Sequence, residues 1–223
     1  MGIGHLAVGF AAKRAVPRVQ LSVLLLAALF ADGLWGFFVL LGLEHLRIEP
    51  GITAASPFDL YDFPISHSLL GGILWALVLG GIFFAIKRYR AGALAVGLVV
   101  LSHWVLDVVA HRPDMPVFLN GPYLGLGLWN SVPATIVVEE AMLAIGVVLY
   151  LRATRGGAVW GLAALVAVLA VMGAAGYLGP PPPGVRPVAI SNLGLTVAIF
   201  FVGGAIDRRR AASGLLDGAA ITR

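Results

Sequence analysis

Residues 101–111 read Leu101-Ser102-His103-Trp104-Val105-Leu106-Asp107-Val108-Val109-Ala110-His111. The run is too apolar for a surface helix, yet it carries His103, Asp107 and His111 at i, i+4 and i+8. At 3.6 residues per turn these three drift by about 40° per step, so they share one stripe and His103 and Asp107 are direct neighbours. One helix thus presents an imidazole and a carboxylate together. Inside a bilayer such a pair is costly, and it marks a functional site by default.

The rest of the chain argues for the bilayer. Its 223 residues are 60% hydrophobic and 12% charged, against roughly 45–50% and 25% in soluble domains. A soluble protein of this size has no core that could hide so much apolar side chain, so the chain is expected to be an all-α polytopic membrane bundle. There is no cysteine, which excludes disulfides and thiolate metal sites. The net charge of +4 does not indicate nucleic acid, because the basic residues fall in short clusters between apolar spans, as topology signals do. Asp32 and large side chains follow the first apolar stretch, so no removable signal peptide is expected.

Working outward from residues 101–111, the apolar runs predict six spans: 19–43, 67–86, 91–111, 133–151, 157–178 and 187–206. Residues 1–12, ending at Lys13, Arg14 and Pro17, reach only about 18 Å as a helix. They are expected to form an interfacial or re-entrant half-helix. Residues 1–210 form one domain in this reading, with 211–223 a disordered cytoplasmic tail. Two polar loops, 44–66 and 112–131, lie on one side. Ser66 or its predecessors are expected to cap the second span, and Pro180 to Pro183 to form a stiff connector. With the amino terminus in the cytoplasm, twelve Lys and Arg face in and only Arg47, Arg112 and Arg186 face out. That bias sets the orientation, with both polar loops outside and both termini cytoplasmic.

Depth then follows from the 1.5 Å rise per residue. Asp32, His103, Asp107, His67 and Glu139 fall in the middle and outer half of the bilayer. A bend at Pro17 would bring His5 beside Asp32. No Lys or Arg sits at comparable depth, so these carboxylates must take up protons, pair with imidazolium or hold a cation. The expected ligands are His5, Asp32, His67, His103 and Asp107, and the expected occupant is one divalent ion. Zn²⁺ is the default on ligand type, with Mn²⁺ and Fe²⁺ as alternatives. Such an ion with an open position would make a hydroxide nucleophile near pH 7. Asp107 is either a direct ligand or the carboxylate that orients an imidazole. Glu139, which shares a face with Thr135, is expected to support the ligands or act as general base. Glu140, 100° away, is left to a neighbouring helix or the loop region. His111 is expected at the membrane edge, and His45 and the loop acids in solvent.

The order of a short His-bearing segment, Asp32 in the first span, His67-Ser68 opening the second, and Ser102-His103 with Asp107 in the third resembles the bacterial family of membrane-bound metal-dependent hydrolases, which includes a LexA-regulated inner-membrane group. The likeness covers roughly residues 1–115. Residues 127–133 and the Pro-rich connector look like a divergent subgroup called permeases. The family shows Pro-Asp-x-Asp in the first span and an Arg and Thr before His-Ser. Here Ala31-Asp32-Gly33-Leu34 and Phe63-Pro64-Ile65-Ser66 stand in those places. The missing second carboxylate favours a single ion. The resemblance implies an inner-membrane hydrolase acting from the outer leaflet side on a lipid-like substrate. A proton- or cation-coupled transporter or channel would use the same His and carboxylates. A scaffold whose polar groups only join helices is the third reading.

Overall fold

A computed structural model describes residues 1–157 and 159–212. The expected tail lies outside the described residues, except that residues 211 and 212 belong to a short strand. Nine helices make up most of the described chain: α1 Gly4–Ala15, α2 Leu21–Ala28, α3 Phe30–Leu40, α4 Pro64–His67, α5 Leu69–Lys87, α6 Arg90–Ala110, α7 Val132–Ala153, α8 Val159–Leu178 and α9 Val185–Asp207. Five of them, α5 to α9, are long and apolar enough to cross a membrane, and α2 with α3 would make a sixth if counted as one span. Their outward faces stay apolar. Leu77, Ile86, Leu94, Val137, Trp160, Val171 and Phe201 are all exposed, which only a hydrocarbon surround makes favourable. This is the surface of a membrane protein.

The short α1 sits at the centre and packs on α7, α2 and α6. Phe10 and Leu6 are fully buried on it, and Gly146 on α7 permits the close approach, since a Cβ there would stand 2.4 Å from the Ala7 carbonyl oxygen. Around this centre α5 packs on α6, α8 on α7, and α9 on α3 and α2.

Three small antiparallel pairs supplement the helices and were not expected. β1 His45–Ile48 pairs with β2 Phe58–Asp62, and β3 Met115–Pro116 pairs with β4 Tyr123–Leu124. β5 Thr154–Gly156 pairs with β6 Arg210–Ala212. The first two fold the polar loops over one end of the bundle, called here the loop end. β5 and β6 tie α7 to α9 at the opposite end.

Two helix interruptions set the functional side chains. Between α2 and α3 the axis bends by 55° at Leu29. No proline or glycine lies at the bend. Instead the carbonyl of Ala28, at the end of α2, accepts a hydrogen bond from His103 Nδ1 at 2.8 Å. A side chain inserted at a helix end in this way is a recognised cause of a kink. The second interruption separates α4 from α5. Ser68 caps α5, accepting from the N–H of Gly71 at 2.9 Å, so the cap of this span is Ser68 and not Ser66. Ser66 is thereby free for another task.

Candidate metal centre

The bend in α2–α3, the α4–α5 break and the middle of α6 converge on one buried cluster. α3 delivers Asp32, α4 delivers His67, α6 delivers His103 and Asp107, and α1 delivers His5. Two overlapping groups, His5 with His103 and Asp107, and Asp32 with His67 and His103, each place their ligand atoms within 4.8 Å of one another. All five residues proposed as ligands are therefore brought together.

Asp107 joins the two groups through its two oxygens. Oδ2 lies 3.2 Å from His103 Nε2 and 3.8 Å from His67 Nε2. Asp32 Oδ1 lies 3.8 Å from each of the same two nitrogens. Donors about 2.0–2.1 Å from one tetrahedral ion stand about 3.3 Å apart, close to these four separations. Oδ1 of Asp107 faces the other way. It accepts from the amino group of Met1, lies 3.1 Å from His5 Nε2 and 3.8 Å from His111 Nε2. The His5 ring stacks on His103 with centroids 3.6 Å apart.

Hydrogen bonds on the far sides of the rings determine which nitrogens are available. A carbonyl only accepts, so His103 Nδ1 carries its proton toward Ala28 and Nε2 is left for the cluster. That Nε2 is buried and has no hydrogen-bond partner. It needs either a second proton or a cation. For His67 the chain is longer. Ser66 Oγ donates to Glu44 Oε2 at 2.6 Å and therefore accepts from His67 Nδ1 at 2.7 Å, so it is His67 Nε2 that faces the cluster. Glu44 is held in turn, accepting the N–H groups of Ile65 and Ser66 at 2.7 and 2.8 Å. Such outer partners fix tautomer and ring orientation in metal sites.

Three expectations change here. Glu44, read as a solvated loop acid, is fully buried and supports His67. His111, read as a membrane-edge residue, is buried against Asp107 and Trp129. Glu139 is buried, but its oxygens are taken by the N–H groups of Gly2 and Gly4 at 3.0 Å and by the Tyr177 hydroxyl. These bonds seat the start of α1, which carries His5. Glu140 is partly buried. His45 behaves as expected, exposed and paired with Asp62.

A cleft of about 650 Å³ reaches the cluster, and Asp32, His67, Asp107 and His111 line it together with apolar side chains of α1, α3, α8 and α9. Its volume lies in the range of small-molecule sites. The arrangement is a His/Asp cluster among apolar helices that could hold a metal ion. Comparison of the chain with family models, with curated proteins and with solved structures finds no match.

Proposed function

We propose that the cluster binds one divalent metal ion and that the protein is a membrane-embedded hydrolase acting on a lipid-like or amphiphilic substrate. The observation that carries this reading is the set of four donor atoms, His67 Nε2, His103 Nε2, Asp32 Oδ1 and Asp107 Oδ2, with separations of 3.2–3.8 Å. Among the described residues no Lys or Arg is a partner of the two carboxylates, and two imidazole nitrogens, His103 Nε2 and His5 Nδ1, have no hydrogen-bond partner. On ligand type Zn²⁺ is the default, with Mn²⁺ and Fe²⁺ as alternatives. When bound, such an ion supplies Lewis acidity and lowers the pKa of water toward 7.

The chain's own groups supply the rest. Ala28 and the Glu44–Ser66 pair hold two imidazoles in the metal-facing tautomer. His5 and the Met1 amino group hold Asp107 Oδ1, which leaves Oδ2 for the ion. The apolar cleft admits a substrate while limiting water. Counting α2 with α3 as one span gives six, with α1 a half-helix. The bias of basic residues then puts the loop end, and the cleft, on the outer side of a bacterial inner membrane.

Metal analysis of purified wild-type protein tests the reading. One divalent ion per chain, lost in Asp107→Ala and His103→Ala proteins that stay folded, is expected. A metal-free wild type, or unchanged metal in both variants, would overturn it. The transporter reading has less support, because the opposite end of the bundle is closed by an ion pair between Lys13 and Asp207 and by packed core.

A further inference from the structure

The metal reading leaves two faces of the cleft, on α8 and α9, unused. α8 contributes Leu169, Met172, Gly173 and Gly176 to it, which at i, i+3, i+4 and i+7 form one stripe. α9 contributes Val188, Ser191, Asn192 and Leu195 with the same spacing. α8 packs on α7, whereas α9 packs on α3 and α2, so the two stripes border the cleft from opposite sides. Met172 is 49% exposed. A Cβ on Gly176 would meet nothing within 4 Å, so there is space between the helices.

Asn192 is the amide on the α9 face. Gly36 of α3 closes on the Ala189 carbonyl, and Gly33 lies against the Thr196 side chain. Asn192 sits between Ala189 and Thr196, which puts it level with Leu34 and Trp35, within about one helical turn of Asp32. Among the described residues its side chain has no hydrogen-bond partner. Asn192 is half-buried and lines the cleft, so its amide N–H groups are available to donate to a polar group of an occupant. Deeper in, Leu6, Leu29 and Leu169 close the cleft as part of the main core.

We propose that the gap between α8 and α9 takes the acyl chain of a carboxylic-ester lipid from the bilayer, and that Asn192 donates to the ester carbonyl about one helical turn from Asp32. This names the substrate class for the hydrolase reading and rests on that reading for its chemistry, but lipid binding itself needs no metal. Lipid tails are as apolar as leucine, so a chain moving from bilayer to cleft gains little from burial. Selection must come from a polar contact, which Asn192 provides. Hydrolysis of such an ester breaks the acyl C–O bond. The oxygen of water goes to the acyl carbon, one of its protons to the alcohol and the other to the acid.

The test uses full-length protein in phosphatidylethanolamine–phosphatidylglycerol nanodiscs. These are doped with a phospholipid carrying a diazirine in one chain, as the ester or as its ether analogue. Adducts are mapped by mass spectrometry and normalised to those at Val168 and Phe201, which are exposed and do not line the cleft. Wild type should concentrate adducts at Leu169, Met172 and Leu195, with the ester favoured over the ether about fivefold, the ratio one ordinary hydrogen bond gives. Gly176→Trp should fill the gap and bring those adducts down to the Val168 level. Asn192→Leu should keep them and erase the ester preference. Undiminished cleft adducts in Gly176→Trp, or an ester preference that survives in Asn192→Leu, would overturn the proposal. Metal content of the same samples separates the two readings. Cleft labelling without metal upholds this inference and ends the hydrolase; metal without cleft labelling does the reverse.

Discussion

The central helix α1 ends in a buried polar cluster at each side, and the two are built on opposite rules. At the end opposite the loops, Lys13 Nζ donates to Asp207 Oδ2 at 2.7 Å and to the Val19 carbonyl at 2.8 Å. The same carboxylate accepts the Leu21 N–H at 3.0 Å and the Tyr150 hydroxyl at 3.4 Å. One positive charge meets one negative charge, and the donors around them find acceptors. At the loop end two carboxylates meet four imidazoles and the Met1 amino group, and His103 Nε2 and His5 Nδ1 have no partner. That cluster opens on a cleft. Both are buried and both are polar, so burial does not distinguish a clamp from a site. Incomplete pairing does: a cluster satisfied by its own chain joins helices, while one left with free lone pairs can bind something else.

The largest effect should come from breaking the clamp. Lys13→Met leaves Asp207, whose side chain is only 10% exposed, without its counter-ion and should cost about 3–5 kcal/mol of stability, read as a lowered unfolding midpoint in detergent. Metal content per folded molecule should not change. Adding Asp207→Leu should recover much of the loss, since an apolar pair of similar size often replaces a buried ion pair at little cost. If Lys13→Met removed metal without destabilising, the division of roles between the two ends would be wrong.

At the loop end the order is reversed. Asp107→Ala and His103→Ala each remove a donor from the four-atom set, and should weaken metal binding by more than the roughly 10–100-fold that loss of an outer partner causes. Competitive titration with a chromophoric chelator reads this directly. Loss of stability with unchanged affinity would make the cluster a second clamp, as the scaffold reading holds.

Much of this contrast was legible in the sequence, and the gaps have physical causes. Five of the expected spans coincide with α5 to α9 within a few residues, because hydropathy is summed over a whole run and tolerates errors at the ends. The i, i+4 spacing of His103 and Asp107 survives intact, since it belongs to one helix. The bend at Leu29 had no local sign. Its cause, His103, lies far along the chain and acts on the Ala28 carbonyl. Glu44 looked like its solvated neighbours until the β1–β2 hairpin folded it under α4. His111 was on the stripe from the start, but Arg112-Pro113 suggested the membrane edge. The loop after it folds back, so that Trp129 lies tilted against its ring with centroids 4.1 Å apart. In each case the missing information was a long-range contact. Lys13 shows the converse: it was counted as a topology signal on the inner side, yet it is buried in the clamp.

A finer division runs inside the loop-end cluster, between atoms that would touch an ion and atoms that aim them. Ser66 belongs to the second kind. Ser66→Ala should leave the donor atoms in place but free the His67 ring to rotate and change tautomer, weakening metal affinity about 10–100-fold. Ser66→Thr keeps the hydroxyl and should restore most of it. A cobalt-substituted protein gives an independent reading, because its visible spectrum follows ligand geometry. The Ser66→Ala spectrum should shift, and the Ser66→Thr spectrum should resemble wild type. Equal affinity and spectrum across all three would remove the Glu44–Ser66–His67 chain from the site.

The smallest effect tests whether an imidazole beside a carboxylate is enough. His45 and Asp62 stand 2.7 Å apart, closer than any His–Asp contact in the metal cluster. Their side chains are 47% and 43% exposed, so water screens the pair, each group has solvent as an alternative partner, and ordering two side chains offsets much of the attraction. His45→Gln should therefore change stability by no more than about 0.2–1 kcal/mol, the usual worth of an exposed ion pair. Metal stoichiometry should stay at the wild-type value. The same two groups at His103 and Asp107 have no solvent to fall back on, and their unmet lone pairs are what give a cation its advantage there. If His45→Gln lowered bound metal, the ion counted in the wild type would be held at the surface, and the buried cluster would lose its claim to it.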